Sequence, residues 1–464
     1  MIVMKFGGSS VADAERIRQM GRIVLSQLNR QPVVVLSAMG DTTDQLLDAA
    51  KEALDKGLVS IDIIEELHNI AISDLNLGPE VQDSVKPLFE ELRSLLTGIS
   101  LIRELTGRTR DYLVSFGERL SVRIAAAYFG TLNVPARALD AWDAGLLSDS
   151  NYTAAELLPE CGEGIRRSLK PLSDSGTLPV VTGFIARDEK GNITTLGRGG
   201  SDLSASTIAA ACGVEEAQFW KDVDGILTAD PRLVTKARPV ESVTYEEAAE
   251  LAYFGAQVLH PRAMLPCMKT ETPVLVKNSF NLNAPGTRIV ARLDKKTGPV
   301  RAITSRKKVT LVDIVSSRML GQPGFLEEVF SSFAKYGISV DMVATSEVSV
   351  SLTLDAVHDL EALRKDLSRI ASVEIKTGKA IVTIVGDVRR SSEILRRAFG
   401  VCANRGVQVQ MVSQGASKVN ISFIVNDIQA ADVVRELHAN FFEVSPNPGG
   451  PDRPGDRPDG EDQK

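Results

Sequence analysis

Three stretches of this chain combine glycines with charged residues in ways suited to phosphate and carboxylate chemistry. The first is Lys5-Phe6-Gly7-Gly8-Ser9-Ser10. Adjacent glycines let backbone N–H groups approach an anion, a following helix adds its dipole, and Lys5 supplies a point charge for a phosphoryl group in transfer. The same residues equally make a plain strand-to-helix turn, and they lack the GxxxxGK[ST] spacing of a P-loop. The second stretch, TTLGRGGSD at 194–202, holds Arg198 and Asp202 at a fixed separation among three glycines. Arg198 can grip a carboxylate bidentately. Asp202 opens a small-residue helix, either as a working carboxylate or as its N-cap. The third, WKDVDGILTADPR at 220–232, gathers Lys221, Asp222 and Arg232 behind a strand. It is either a solvated turn or the lining of a site at a strand's carboxyl end. Thr43 and Glu118 say little singly: one suits a helix cap, the other a solvated helix face. The four histidines are scattered, with no Ser-His-Asp or metal-binding arrangement.

These residues need a scaffold, and the first half alternates strands and helices. Apolar runs at 2–6, 32–37, 179–183, 218–221 and 274–277 lack period-two alternation, which predicts strands covered on both faces in a parallel sheet. Ile17, Met20, Val24 and Leu28 fall at helical spacing. The expectation is a three-layer α/β/α domain over 1–295 with a helical insertion at about 57–115. The second half repeats itself. Strand, helix, strand, strand, helix at 308–316, 324–336, 338–343, 348–354 and 359–370 recurs at 380–386, 391–404, 407–412, 419–425 and 430–441. Two α+β units of βαββαβ type follow, over 296–378 and 379–444. The segment 300–304 precedes the first unit and is placed to pair with the second. From 445 to 464 the chain is Pro, Gly and Asp with almost no apolar residue, a composition expected to stay disordered.

A net charge of -7 argues against nucleic acid as a partner. The four cysteines show no CxxC pairing, so neither a disulfide framework nor a zinc site is indicated. No apolar run reaches the ~18 residues of a membrane span and no signal-peptide core opens the chain, so the expected location is cytoplasmic.

Taken together, KFGGSS, SAMGDTTD, SFGER, TTLGRGGSD, WKDVDGILTADPR and FGAQVLHP, followed by SVDMVATSEVSVSLTLD, resemble the aspartate kinase family, within the amino acid kinase fold. The resemblance covers nearly all of 1–443. It implies ATP-dependent phosphorylation of the L-aspartate β-carboxylate, the first step toward lysine, threonine and methionine. By position, Lys5 would stabilise the phosphoryl group, and Gly7, Gly8 and Ser9 would hold phosphates. Thr43, Glu118 and Arg198 would bind aspartate, and Asp202 would organise Lys5 and the Mg²⁺ carried on ATP, with no direct protein ligand to the metal. Gly199, Ser201, Lys221, Asp222, Leu227, Arg232, Gln257 and Val258 would face the nucleotide. Lys221 and Leu227 depart from the bacterial lysine-sensitive pattern and lean toward the plant type, and Gln257 replaces a lysine found in some relatives.

The repeated units resemble ACT domains, which in this family pair between subunits and bind a feedback effector. That implies a homodimer or tetramer, with lysine as the expected inhibitor. Met319, Phe325, Leu326, Ser339, Val340, Asp341 and Ser346 would form the effector site, Asp341 facing the ammonium; Gln410 stands at the equivalent place in the second copy. Two other readings are an enzyme of the same fold acting on glutamate or acetylglutamate, and a non-catalytic amino-acid sensor. Intact Lys5, Arg198 and Asp202 argue against the second of these.

Overall fold

The computed structural model describes residues 1–253, 258–293, 298–316, 319, 323–355, 360–414 and 419–443. Its contacts divide the chain into two compact units. One is Met1–Thr228 with Arg238–Ala302; the other is Ala229–Ala237 with the described residues from Ile303 onward.

The first unit is built on strands β1 (Ile2–Phe6), β2 (Pro32–Leu36), β3 (Ala136–Leu139), β4 (Leu147–Ser148), β5 (Leu178–Thr182), β6 (Ile185–Asp188), β7 (Ile193–Thr195), β8 (Ala217–Lys221), β9 (Ser242–Thr244), β10 (Val274–Asn278) and β11 (Thr287–Val290). Eight of them form a sheet in the order β3-β5-β2-β1-β8-β10-β11-β9. Every pair from β3 to β10 is parallel. β1, β2 and β5 are buried at every residue, as a two-sided cover requires. On one face Ile2, Met4, Phe6, Val34 and Leu36 join a core with the helices Ala14–Leu25, Thr42–Lys56, Pro79–Ile102 and Gly107–Thr131. On the other face the helices Cys161–Asp174 and Gly200–Cys212 pack against the same strands. This is the expected three-layer arrangement. A smaller sheet, β4-β6-β7, forms beside it.

One local expectation fails. The KFGGSS turn does not open onto an α-helix N-terminus. It enters a single 3-10 turn, Gly8–Val11, and the α-helix starts only at Ala14. The reason is Asp13, whose carboxylate caps Arg16 N at 2.9 Å and so fixes the helix start beyond the glycines.

In the second unit, β12 (Val300–Val315, entering from the first), β13 (Val340–Thr345), β14 (Ser349–Leu354), β15 (Ser372–Gly386), β16 (Met411–Ser413) and β17 (Asn420–Asn426) make one six-stranded sheet, ordered β13-β14-β12-β15-β17-β16. The first copy places helices Phe325–Lys335 and Glu361–Leu367 over Val312, Ile314, Val350, Leu352 and Leu354. The second has helices Ser391–Asn404 and Asp427–His438. The repeat read from the sequence is present. Its two copies share a continuous sheet because β12 lies between β14 of the first and β15 of the second.

Candidate active site

Lys5 lies one residue before the end of β1, in register with Phe219 of β8, and Lys221 follows two residues along β8. Side chains two apart in a strand point to the same face, so both lysines reach toward the helix Gly200–Cys212. There Asp202 receives them. Its Oδ1 is 2.8 Å from Lys5 Nζ and its Oδ2 is 2.9 Å from Lys221 Nζ. Burial alone would raise the Asp202 carboxyl, but the two ammonium groups overcome it and hold it below its ordinary value. Burial, helped by the charge of Lys221, lowers Lys5 against the pull of Asp202. Two cations on one carboxylate leave a net positive charge in a nearly dry place. That is a setting for an incoming anion.

The cluster opens into a cavity of about 700 Å³ whose lining includes Lys5, Gly8, Thr43, Glu118, Arg198, Gly199, Ser201 and Asp202. Gly8 is required by close approach: a Cβ there would stand 3.0 Å from the carbonyl oxygens of Ala38 and Gly40. Gly197 and Gly199 flank Arg198 with φ of 71° and 72°, a region that strains other residues. Arg198 itself makes no ion pair with a described residue. Gly199, Gly200 and Ser201 place the N-terminus of a 13-residue helix on the cavity wall.

Glu118 enters from the helix Gly107–Thr131 and is 2% exposed. Ala38 N donates to its Oε1 at 3.1 Å, while Oε2 has no hydrogen-bond partner among the described residues. Burial pushes its carboxyl up to about 8, against the Ala38 hydrogen bond and the charge of Lys5. The arrangement therefore offers a buried acid, an uncommitted guanidinium and a cationic cluster within one cavity. An amino acid with a second carboxylate matches that pattern of charges.

Other expected residues fall outside this lining, although Gly7 borders Lys5 Nζ. Gly7, Ser9, Asp222, Leu227 and Val258 are not part of this lining, and Lys221 joins it only through Asp202. Leu227 bridges Pro239. Arg232 is paired with Asp230 at 2.7 Å, is 87% exposed at its side chain and belongs to the second unit. Gln257 lies outside the described residues. Arg110, Asp111, Thr153 and Phe184 also line the cavity and were not singled out from the sequence. Only Asp111, two helical turns before Glu118, left a signal that could have been followed.

Of the expected effector residues, Val340 and Asp341 start β13, Ser339 precedes them, Phe325 and Leu326 open a helix, and Ser346 ties the β13–β14 turn by accepting Ser349 N at 3.1 Å. Met319 bonds back to Ser316 O at 3.2 Å. Asp341 is ion-paired with Arg306 of β12, which also lies 3.3 Å from Asp355. The equivalent Gln410 instead donates to Asn426 at 3.2 Å. The first copy is charged where the second is neutral.

Comparison with known proteins agrees with this geometry. The Amino acid kinase family model matches residues 1–278, and an ACT domain model matches 312–365 and 382–441. Aspartokinase 1, chloroplastic, of Arabidopsis thaliana is 49% identical over 458 residues, covering 95% of this chain and 80% of that protein. The crystal structure of E. coli aspartokinase III in complex with lysine and aspartate (T-state) superposes with a TM-score of 0.79 at 34% identity, over 95% of this chain and 99% of that one. The same enzyme with aspartate and ADP (R-state) gives 0.78 at 33% identity, over 95% and 100%. The chain belongs to the aspartokinases of the amino acid kinase family.

Proposed function

We propose that this protein is an aspartate kinase that transfers the γ-phosphoryl group of ATP to the β-carboxylate of L-aspartate. The observation that carries the reading is the convergence of Glu118, Arg198 and the Lys5–Asp202 pair on one cavity. Glu118 takes the substrate ammonium and Arg198 its α-carboxylate, with Thr43 beside them. That leaves the β-carboxylate directed to Lys5. One of its oxygens attacks the γ-phosphorus as the bond to ADP breaks, giving L-aspartyl 4-phosphate. The nucleophile is already ionised at neutral pH, so no general base is needed, and catalysis consists of positioning and charge neutralisation. Lys5 follows the phosphoryl group, Asp202 keeps Lys5 in place, and Gly7, Gly8, Ser9, Gly199 and Ser201 present backbone and hydroxyl groups to phosphate. Lys221, Asp222, Leu227, Gln257 and Val258 complete the nucleotide side. The site suits a Mg²⁺ that arrives on ATP and neutralises its phosphates, because both oxygens of Asp202 are already engaged by lysines.

The division of labour places catalysis in 1–295 and ACT copies at 296–378 and 379–444. Lysine is the proposed feedback inhibitor, held around Asp341 with Met319, Phe325, Leu326, Ser339, Val340 and Ser346. Support comes from the ACT match and from the lysine complex of the E. coli neighbour. Pairing of the ACT units into a dimer or tetramer, in the cytoplasm, completes the reading. Among the described residues no helix is long and apolar enough to cross a membrane.

An ADP-release assay with L-aspartate, L-glutamate and N-acetyl-L-aspartate tests the activity. Turnover is expected with L-aspartate alone. Equal turnover of the acetylated compound, which has no ammonium, would sink the role of Glu118. Unchanged aspartate turnover at millimolar lysine would remove the inhibitor.

A further inference from the structure

Asp111 is 1% exposed and stands on the cavity wall, yet both its oxygens are turned to the protein. Oδ2 accepts the backbone N–H of Thr153 and of Thr195, each at 2.9 Å, and Oδ1 accepts the Thr195 hydroxyl at 2.8 Å. Arg262 answers with donors. Its Nη1 gives to Leu196 O at 3.1 Å and its Nη2 to Ala155 O at 2.9 Å. One anion collects the N–H groups, and one cation collects the carbonyls, of the same two segments. Those segments also bond to each other through Ala155 N and Thr195 O at 2.9 Å.

What these two brackets hold is the backbone leading into Arg198, at Thr195 and Leu196, together with the segment 153–155 bonded to it. Thr153 is a β-branched residue at φ 72°, a strained conformation that needs outside support. Its charge-assisted bond to Asp111 supplies that support. Seated so, its carbonyl oxygen lies 3.2 Å from where a Cβ on Gly197 would be. On the far side of Arg198, Gly199 is backed by His260, whose Cβ lies 2.9 Å from the corresponding point. His260 caps the helix Pro261–Lys269 that carries Arg262. At each glycine beside Arg198 the space a side chain would need is thus taken by a residue tied to one bracket.

We propose that Asp111 and Arg262 are positioning residues for the amino-acid substrate, acting through Arg198. They fix the backbone around it so that its guanidinium is oriented before a carboxylate arrives. The proposal rests on the placement of L-aspartate in this cavity. Orientation of this kind is sensitive to small displacements of the clamping group.

Steady-state kinetics and thermal unfolding of D111N, R262M, R198A, D111N/R198A and R262M/R198A test it. D111N and R262M are expected to raise the aspartate KM about tenfold or more, with the ATP KM changed less than about twofold. In the R198A background neither should add to the aspartate KM, because the group through which they act is gone. Additive effects, or wild-type aspartate KM in folded D111N and R262M, overturn the proposal. Should D111N not fold, R262M and its double mutant decide alone. An R198A variant with unchanged aspartate KM would instead refute the substrate placement, and the proposal with it.

Discussion

Lys221 Nζ lies 2.9 Å from Oδ2 of Asp202, the carboxylate oxygen that Lys5 does not use. Because the charge of Lys221 helps lower Lys5, the K221M variant should let Lys5 rise toward its ordinary value. The alkaline limb of the pH profile of kcat should then move to higher pH. Loss of one fixed cation should cost about tenfold to 100-fold in kcat. Profiles of the two proteins check both points; an unmoved alkaline limb would separate Lys221 from Lys5.

Glu118 carries a testable conflict between stability and binding. Its carboxyl is raised from 4.5 to about 8, so in the free protein it is protonated at neutral pH. Pairing with a substrate ammonium requires the ionised form, and aspartate affinity should therefore improve as pH rises toward 8. E118Q should lose that dependence and bind aspartate at least about tenfold more weakly. The unfolded chain releases this proton near pH 4.5, so wild-type stability falls between 4.5 and 8. E118Q should therefore be the more stable protein at pH 8, by on the order of a few kcal/mol. Chemical denaturation at pH 5 and pH 8 measures the difference.

His68 should set part of the acid limit of the fold. It is fully buried, bonds Ile64 O through Nδ1 at 2.6 Å, and burial lowers it from 6.5 to about 4. The unfolded chain takes up a proton below pH 6.5, whereas the folded one stays neutral until about 4. The contribution is complete above 6.5 and is lost as pH falls through this window, by about 3 kcal/mol in total. The unfolding free energy of H68M should decline less steeply between pH 6.5 and 4.5. Equal slopes would assign the acid limit to other groups.

Asp341 is already ion-paired with Arg306, so on the proposed effector site a lysine ammonium would share or displace that guanidinium. R306M should lower the lysine concentration for half-inhibition by about threefold to tenfold, and D341N should abolish inhibition. Lysine titrations at fixed aspartate decide it. An unchanged or weakened response in R306M would show that Arg306 builds the site rather than competing for it.

What the sequence showed follows from how local each signal is. The strands β1, β2, β8 and β10 were legible because each is a compact apolar run. β3, β4, β6, β7, β9 and β11 were not, being two to four residues long, below the length at which periodicity speaks. Lys5, Arg198 and Asp202 stood out through their glycines, of which Gly197 and Gly199 adopt a left-handed conformation and Gly8 allows a close backbone approach. The Asp111 bracket spans 42 and 84 residues, and the Arg306–Asp341 pair spans 35. Folding creates these pairs, and no spacing rule announces them. The helix dipole expected directly behind KFGGSS is displaced because the α-helix starts at Ala14, beyond the glycines, where Asp13 caps it.

The sheet common to both repeat copies has a consequence for how this half of the molecule comes apart. β12 and β15 lie side by side at its centre, so neither copy can melt without stripping hydrogen bonds from the other. The pair should behave as one cooperative foldon, with amide exchange in β14 and β17 governed by a single opening event. Excising either copy would leave the survivor with a long bare strand edge and a tendency to self-associate.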